Sequence, residues 1–212
     1  MAWELRLLED SMAAGAALTL PAPDVYNRIC YVVHGSVSVA GETYADDSAW
    51  HGKGAATLTA GPHGAALWRF ELVHDGRAPI PCEGRTLVKL STPVSVTAPL
   101  LMRCDSVAFP AGGCAFLHTH QGPGIRCLLE GGIRIDTAGH STSYAPGGAW
   151  FESGPEPVFA QAADRPSRFI RVMVLPASLL GTSSISYVRD EDRSKPKSQS
   201  YKGFVDARIT LD

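Results

Sequence analysis

The chain has no surplus of either charge and no long apolar run. Its 19 Lys and Arg stand against 21 Asp and Glu, for a net charge of −2. It therefore lacks the basic excess that marks a nucleic-acid-binding surface. No stretch of about 18 consecutive apolar residues occurs, so no membrane-spanning helix is expected. The opening Met1-Ala2-Trp3-Glu4-Leu5-Arg6 lacks the basic start and apolar stretch of a secretory signal. Cysteine is sparse and odd in number. Cys30, Cys82, Cys104, Cys114 and Cys127 form no C-x-x-C pair, which fits reduced, buried thiols in a cytoplasm better than a disulfide framework. There is no G-x-S-x-G elbow, no phosphate-cradling glycine loop with lysine and no H-E-x-x-H. Helical periodicity is missing beyond the first dozen residues.

What the chain does have is 45% apolar residues in a length of 212, enough for one large core or two small ones. Its 21 glycines and 15 prolines fall between short apolar runs. Val37 and Val39 alternate with serines, Val94 and Val96 flank Ser95, and Ile133 and Ile135 flank Arg134. Phe169-Ile170-Arg171-Val172-Met173-Val174-Leu175 is apolar and β-branched. Short strands with turns between them predict an all-β sandwich or barrel.

The chain also resembles itself. Tyr44-Ala45-Asp46-Asp47-Ser48-Ala49-Trp50 returns at an offset of 100 as Tyr144-Ala145-Pro146-Gly147-Gly148-Ala149-Trp150. Cys30-Tyr31-Val32-Val33-His34-Gly35 is similar to Arg126-Cys127-Leu128-Leu129-Glu130-Gly131 at an offset of 96. Two matches in one order point to a duplicated all-β unit of about a hundred residues. A longer turn around Thr137-Ala138-Gly139-His140 is expected to absorb the difference in offset.

The strongest chemical signal is His118-Thr119-His120. On a strand, both imidazoles share one face, close enough to grip one metal ion. The plainer alternative is a histidine pair that only packs. Around it, Gly112, five residues, His118, Thr119, His120, three residues, Gly124, six residues and Gly131 resemble the first motif of the cupin superfamily, G-x5-H-x-H-x3–4-E-x6-G. Gly124 stands at the glutamate position. In the second motif, G-D-x4-P-x-G-x2-H, Gly148 opens, and Ser153, Pro155 and Val158 stand at the proline, glycine and histidine positions. The resemblance covers roughly residues 10–175. It implies an all-β fold of two cupin (jelly-roll, double-stranded β-helix) barrels in tandem, 1–98 and 99–180, followed by a tail, 181–212. In the first repeat the histidine positions fall on Pro21 and Pro23, the glutamate on Arg28 and the last histidine on Leu58. None of these can serve as a ligand. His34, His51 and His63 are expected at the surface.

Two of four ligands remain, so the resemblance implies a divalent ion (Fe, Mn, Ni or Zn) on His118 and His120, with Glu152 a candidate third donor. Two histidines and a carboxylate would form an open facial set. The alternative partner for Glu152 is an arginine. If its strand keeps the cupin register, Arg126, two residues past the vacant glutamate, points into the barrel and needs a counter-charge, from Glu152 or from an anionic ligand. Gln121, Phe116 and Trp150 are candidates for the pocket wall, the two aromatics alternatively for the core. Two functions follow. One is a metal-dependent small-molecule enzyme, with oxygenases among the candidates. The other is a non-catalytic binding or sensing module with a metal-free pocket gated by Arg126. The partner in either case is a small molecule, anions included. The charged stretch 187–200 has the composition of a disordered linker, yet Tyr201, Phe204, Val205 and Ile209 follow it. They are expected to fold back on the barrel or to join a homodimer.

Overall fold

The computed structural model describes residues 2–21 and 27–211. Its regular secondary structure is almost entirely antiparallel strand, in two compact units. The first runs to Val96 and takes in the chain from Ile209 onward; the second spans Thr97–Arg208.

In the first unit the strands are β1 (Trp3–Met12), β2 (Ala17–Leu20), β3 (Asn27–Val39), β4 (Glu42–Ala45), β5 (Ser48–Lys53), β6 (Ala56–His74) and β7 (Gly84–Val94). They join in the order β4-β3-β6-β1-β7, with β2 on β6 and β5 on β3. Segment 3–12, the one place with a helix-like stripe, is a strand. It lies between β6 and β7, and its side chains are buried on both faces in the middle of the strand. A strand covered on both faces reads as a continuous apolar run and loses its alternation. Leu18, Leu20, Val32, Leu58 and Leu67 form the core of this unit.

The second unit holds β8 (Leu100–Phe109), β9 (Cys114–His120), β10 (Gly124–Glu130), β11 (Ile133–Thr137), β12 (His140–Tyr144), β13 (Ala149–Glu152), β14 (Val158–Ala162), β15 (Ser167–Pro176), β16 (Ile185–Tyr187), α1 (Asp190–Ser194) and β17 (Ser200–Ile209). Its two five-stranded sheets run β13-β10-β15-β8-β17 and β12-β11-β14-β9-β16. Both sheets feed one core, with Val107, Leu128, Trp150 and Phe169 from the first and Ile133, Ile135 and Val158 from the second. The segment 181–208 is ordered into this unit. β16 pairs with β9 and β17 lies beside β8. Within the charged stretch, Lys195 and Lys197 lie over the ring of Phe116, and Lys197 also over Tyr187. Cation–ring contacts give that polar segment something to order against.

The two pairs of matching sequence segments occupy comparable places in the strand register. Cys30 stands opposite Trp50 and Arg69; Arg126 stands opposite Trp150 and Arg171. The change in offset does not come from a longer turn. Val39 pairs with Glu42 across Ala40-Gly41, and Thr137 pairs with His140 across Ala138-Gly139. Both turns are two residues with positive φ throughout, the hairpin type that matches strand twist. The extra residues lie in the arms, two on each side of the turn. Adding two residues per arm keeps every side chain on its original face; adding one would invert them.

Candidate functional site

His118 and His120 are both buried on one face of β9, with ring centroids 4.9 Å apart and planes at 82°. His118 Nδ1 lies 2.7 Å from the Phe116 carbonyl oxygen. In the neutral ring that nitrogen carries the proton and donates it, which leaves the lone pair on Nε2. His120 Nδ1 is 3.3 Å from Ser184 Oγ, in the segment leading into β16. Burial holds both imidazoles below the ordinary histidine range; Arg126 and Arg171 push His120 further the same way. Both rings are neutral at pH 7.

This has a consequence for stability. In the unfolded chain each ring takes up a proton near pH 6.5, while the folded chain keeps it neutral. Below that pH the unfolded state binds more protons, so acid destabilises the fold. The expected slope is about 1.4 kcal/mol per pH unit for each histidine, until pH reaches the depressed folded values. Urea unfolding between neutral pH and about pH 5 measures it. A His118→Gln/His120→Gln variant with the same slope would remove these rings as the cause.

Arg126 on β10 is fully buried. Its Nη1 donates to the Gly124 carbonyl at 2.7 Å, and its Nη2 lies 2.7 Å from Glu152 Oε2. The other carboxylate oxygen accepts from Trp150 Nε1 at 2.9 Å. Nη2 and Oε2 are close but poorly aligned, so neither makes a well-directed hydrogen bond; their contact is chiefly one of charge. Burial outweighs the pull of Glu152 and lowers Arg126 to about 10, still protonated at neutral pH. Oε2 is also 3.8 Å from His120 Nε2.

Gly124 shows where the missing glutamate went. It stands opposite Glu152 on one side and Met173 on the other. A Cβ there would lie 2.6 Å from Val172 O, 2.7 Å from Met173 Cγ and 3.0 Å from Arg126 Nη1. The space for a side chain at the motif's glutamate position is filled, in part by the guanidinium of Arg126.

A second buried pair lies next to it. Arg171 on β15 and Asp105 on β8 face each other in register. Arg171 Nε and Nη2 donate to the two Asp105 oxygens at 2.9 and 2.7 Å. The sequence reading missed this pair, although an arginine inside Phe169-Ile170-Arg171-Val172 is the signature of a buried charge.

Two cavities adjoin here. The inner one, of about 20 Å³, is walled by His118, His120, Arg126, Glu152, Val158 and Arg171 among others. The outer one, of about 610 Å³, has Arg103, Asp105, His120 and Arg171 on one side, and on the other residues of segment 181–185 and of β17. His120, Arg171, Ile185 and Tyr201 line both. Three expected wall residues lie elsewhere. Gln121 is exposed and Phe116 stands under the two lysines; neither lines either cavity. Trp150 is core, stacked on Tyr144 at 4.9 Å, and reaches the site only through its indole N–H.

The structure brings His118, His120, Arg126 and Glu152 together, but it does not present three donors free for one ion. Glu152 faces a guanidinium, Gly124 has no side chain, and Val158 is core. Among the described residues no three His, Cys, Asp or Glu are grouped to hold a metal. The residues present do not fit the Fe, Mn, Ni or Zn ion that the motif implies. In the first unit the equivalent place is filled with ions of the protein's own. Arg28 is buried, 3.4 Å from Glu71, and donates to Gly54 O; Leu58 is core. Pro21 lies just beyond β2, and Pro23 lies outside the described residues. His34 and His63 are exposed, while His51 is half-buried in β5, where burial lowers its pKa.

No family model and no curated protein matches the sequence. Solved structures do. An oxalate decarboxylase of Bacillus subtilis superposes with TM-score 0.63 at 12% identity, over 91% of this chain and 73% of that one. A salicylate 1,2-dioxygenase from Pseudaminobacter salicylatoxidans gives 0.56 at 11%, over 94% and 75%. A cupin 2 conserved barrel domain protein from Leptotrichia buccalis gives 0.50 at 14%, over 80% and 84%. At these identities the likeness establishes the fold, that of the cupin jelly-roll barrels, and leaves activity to the site itself.

Proposed function

We propose that this is a small-molecule-binding protein of the cupin fold whose site, in the second unit, works without a metal. The observation that carries this is the placement of Arg126. Its guanidinium lies over Gly124 and against Glu152, so a protein cation stands beside the one carboxylate that could join the two histidines. A divalent ion added there would meet a fixed positive charge in a poorly screened interior. The outer cavity has the volume of a ligand pocket, and the C-terminal segment completes it. Arg103 clasps that segment: it donates to Asp206 at 3.1 and 3.0 Å, to Thr182 O at 2.8 Å and to Leu179 O at 2.6 Å. The matching register of the two units supports reading the chain as two cupin barrels in tandem, the first without a ligand site.

A second reading keeps a metal on His118 and His120 alone, because the Phe116 carbonyl fixes His118 with its Nε2 available. Elemental analysis of the purified protein separates the two. The metal-free reading expects well under one ion per chain, unchanged in Glu152→Gln, while that variant loses about 3–5 kcal/mol of stability because Arg126 is left without its counter-charge. One tightly held ion per chain, lost on His118→Ala, would replace it with the second reading.

A further inference from the structure

Part of the C-terminal segment covers the two histidines. His118 and His120 are each 5% exposed, and the inner cavity that they line, at about 20 Å³, has room for about one atom. It meets the outer cavity at His120, Arg171, Ile185 and Tyr201. Along the outer edge of β9, Ile185 stands opposite His120 and Tyr187 opposite His118. The Tyr187 ring meets His118 edge-on at 6.5 Å, and Ser184 Oγ lies 3.3 Å from His120 Nδ1. A molecule of several atoms can touch both imidazoles only if this stretch moves.

Little apolar burial holds the stretch down. β16 is three residues long and lies at the edge of its sheet. The buried side chains between residues 181 and 199 are Ser184, Asp192 and Gln199, all polar; Ile185 and Tyr187 are half-buried and Val188 is exposed. Its anchors are polar and sit at the two ends. At the first, Arg103 on β8 donates to Leu179 O and Thr182 O, and Asp206, which Arg103 also grips, accepts from Gly181 N at 2.8 Å. At the other, Ser198 Oγ accepts from Cys114 N at 2.9 Å and donates to Cys114 O at 3.0 Å. Between them Lys197 Nζ ties the segment to itself through the carbonyls of Asp192 and Lys195. Segments with few buried apolar contacts are the ones that open at a fraction of the global unfolding free energy.

We propose that residues 181–199 form a strap that lifts off β9 while the barrel stays folded, and that this opening admits molecules to His118 and His120. Such a strap would serve a metal-free site and a metal-bearing one alike, so it stands independently of the reading above. Hydrogen exchange of the full chain, resolved by peptide, reads the opening. Amides of 183–188 should exchange at least about a hundredfold faster than those of β10 and β15, each against its intrinsic rate. Low urea should speed β10 and β15 and leave 183–188 unchanged, because the opening exposes little surface. Diethyl pyrocarbonate, which acylates neutral imidazole, reads access to His118 and His120; a chelator keeps any bound ion from shielding them. Ser198→Ala and Arg103→Met each release one end of the strap. Either should raise exchange in 183–188 and acylation of the two histidines together, about tenfold, with β10 and β15 unchanged. If Arg103→Met does not fold, Ser198→Ala, at an exposed position, carries the test. Amides of 183–188 as protected as β10 and β15 would overturn the strap, and so would variants that speed exchange equally in every strand. Acylation that stays constant while exchange in 183–188 rises would show that the rings are reached by another route, and would overturn it as well.

Discussion

Glu71→Gln is expected to cost the first unit about 3–5 kcal/mol, a large share of a typical domain's stability. Glu71 is buried at the centre of a cluster on β1, β3 and β6. Its oxygens lie 2.6 and 2.7 Å from Arg6 Nη2 and Nε, 2.7 Å from Arg69 Nη1 and 3.4 Å from Arg28 Nε. Asp10 supplies the other carboxylate, held by Arg69 Nε and Nη2 at 2.7 and 3.1 Å. Burial alone would raise the Glu71 pKa, but Arg69 and Arg6 overcome it and hold it low. The amide in its place keeps the shape and some hydrogen bonds, yet leaves guanidinium groups in the interior with Asp10 as the remaining carboxylate of the cluster. Glu9→Gln on β1 is the control. Glu9 pairs with Arg85 at 3.4 Å and Lys89 at 3.0 Å in partly solvated positions, and such pairs contribute about 0–1 kcal/mol. Urea unfolding compares the two variants; equal losses would reject the account. The depressed pKa has a sign as well. The stabilisation from Glu71 is present above the unfolded carboxylate pKa and is lost as pH falls through the lower folded value.

How much of this was legible depends on which physical signal each residue leaves in the sequence. Short apolar runs cut by glycine and proline gave the all-β class, and alternation gave the strand leading into each of the two hairpin turns. The shared face of His118 and His120 follows from strand geometry alone; the inward direction of Arg126 needed the register that the cupin resemblance implies. The buried ion pairs were less visible. Arg6, Arg69 and Arg171 each sit inside an apolar run, which marks them as buried, but the run does not say which carboxylate meets them. Glu71 for Arg6, Asp10 for Arg69 and Asp105 for Arg171 lie on neighbouring strands far away in sequence, and only pairing brings them close. Glu152 was found by its nearness to the second motif; that it faces Arg126 depends on the register of β10 against β13. The tail defeated composition. Its charged stretch is ordered by contacts with β9 and with the ring of Phe116, which no local window contains. Gln121 and Phe116 failed as pocket residues because neighbours of a motif in sequence need not share its face.

Arg126→Met should turn a metal-free site into a metal-dependent one. Methionine fills most of the buried volume of the arginine stem but brings no charge, so the Glu152 carboxylate is left in the interior with only the Trp150 N–H to hold it. Without added metal the variant should lose about 3–5 kcal/mol, the usual result of breaking a buried pair by removing one member. It can recover by protonating Glu152 or by admitting another cation. The second route is open because His120 Nε2 is 3.8 Å from the freed oxygen and the Nδ1 contact of His118 leaves its Nε2 available. Two imidazoles and a carboxylate are a set that divalent transition ions accept. Cobalt(II) should therefore bind the variant at least about a hundredfold tighter than the wild type, since a repelling charge is gone and a third donor is gained. Binding to the folded state alone then restores stability in proportion to the logarithm of free cobalt. Absorption of bound cobalt and thermal unfolding with and without the ion read the two effects separately. If the variant stays destabilised and binds no cobalt, Arg126 serves only to neutralise Glu152, and the view that its guanidinium stands in for a metal ion is wrong. If the wild type binds cobalt as well as the variant does, the arginine is no barrier to the ion and the metal-free reading of the site fails with it.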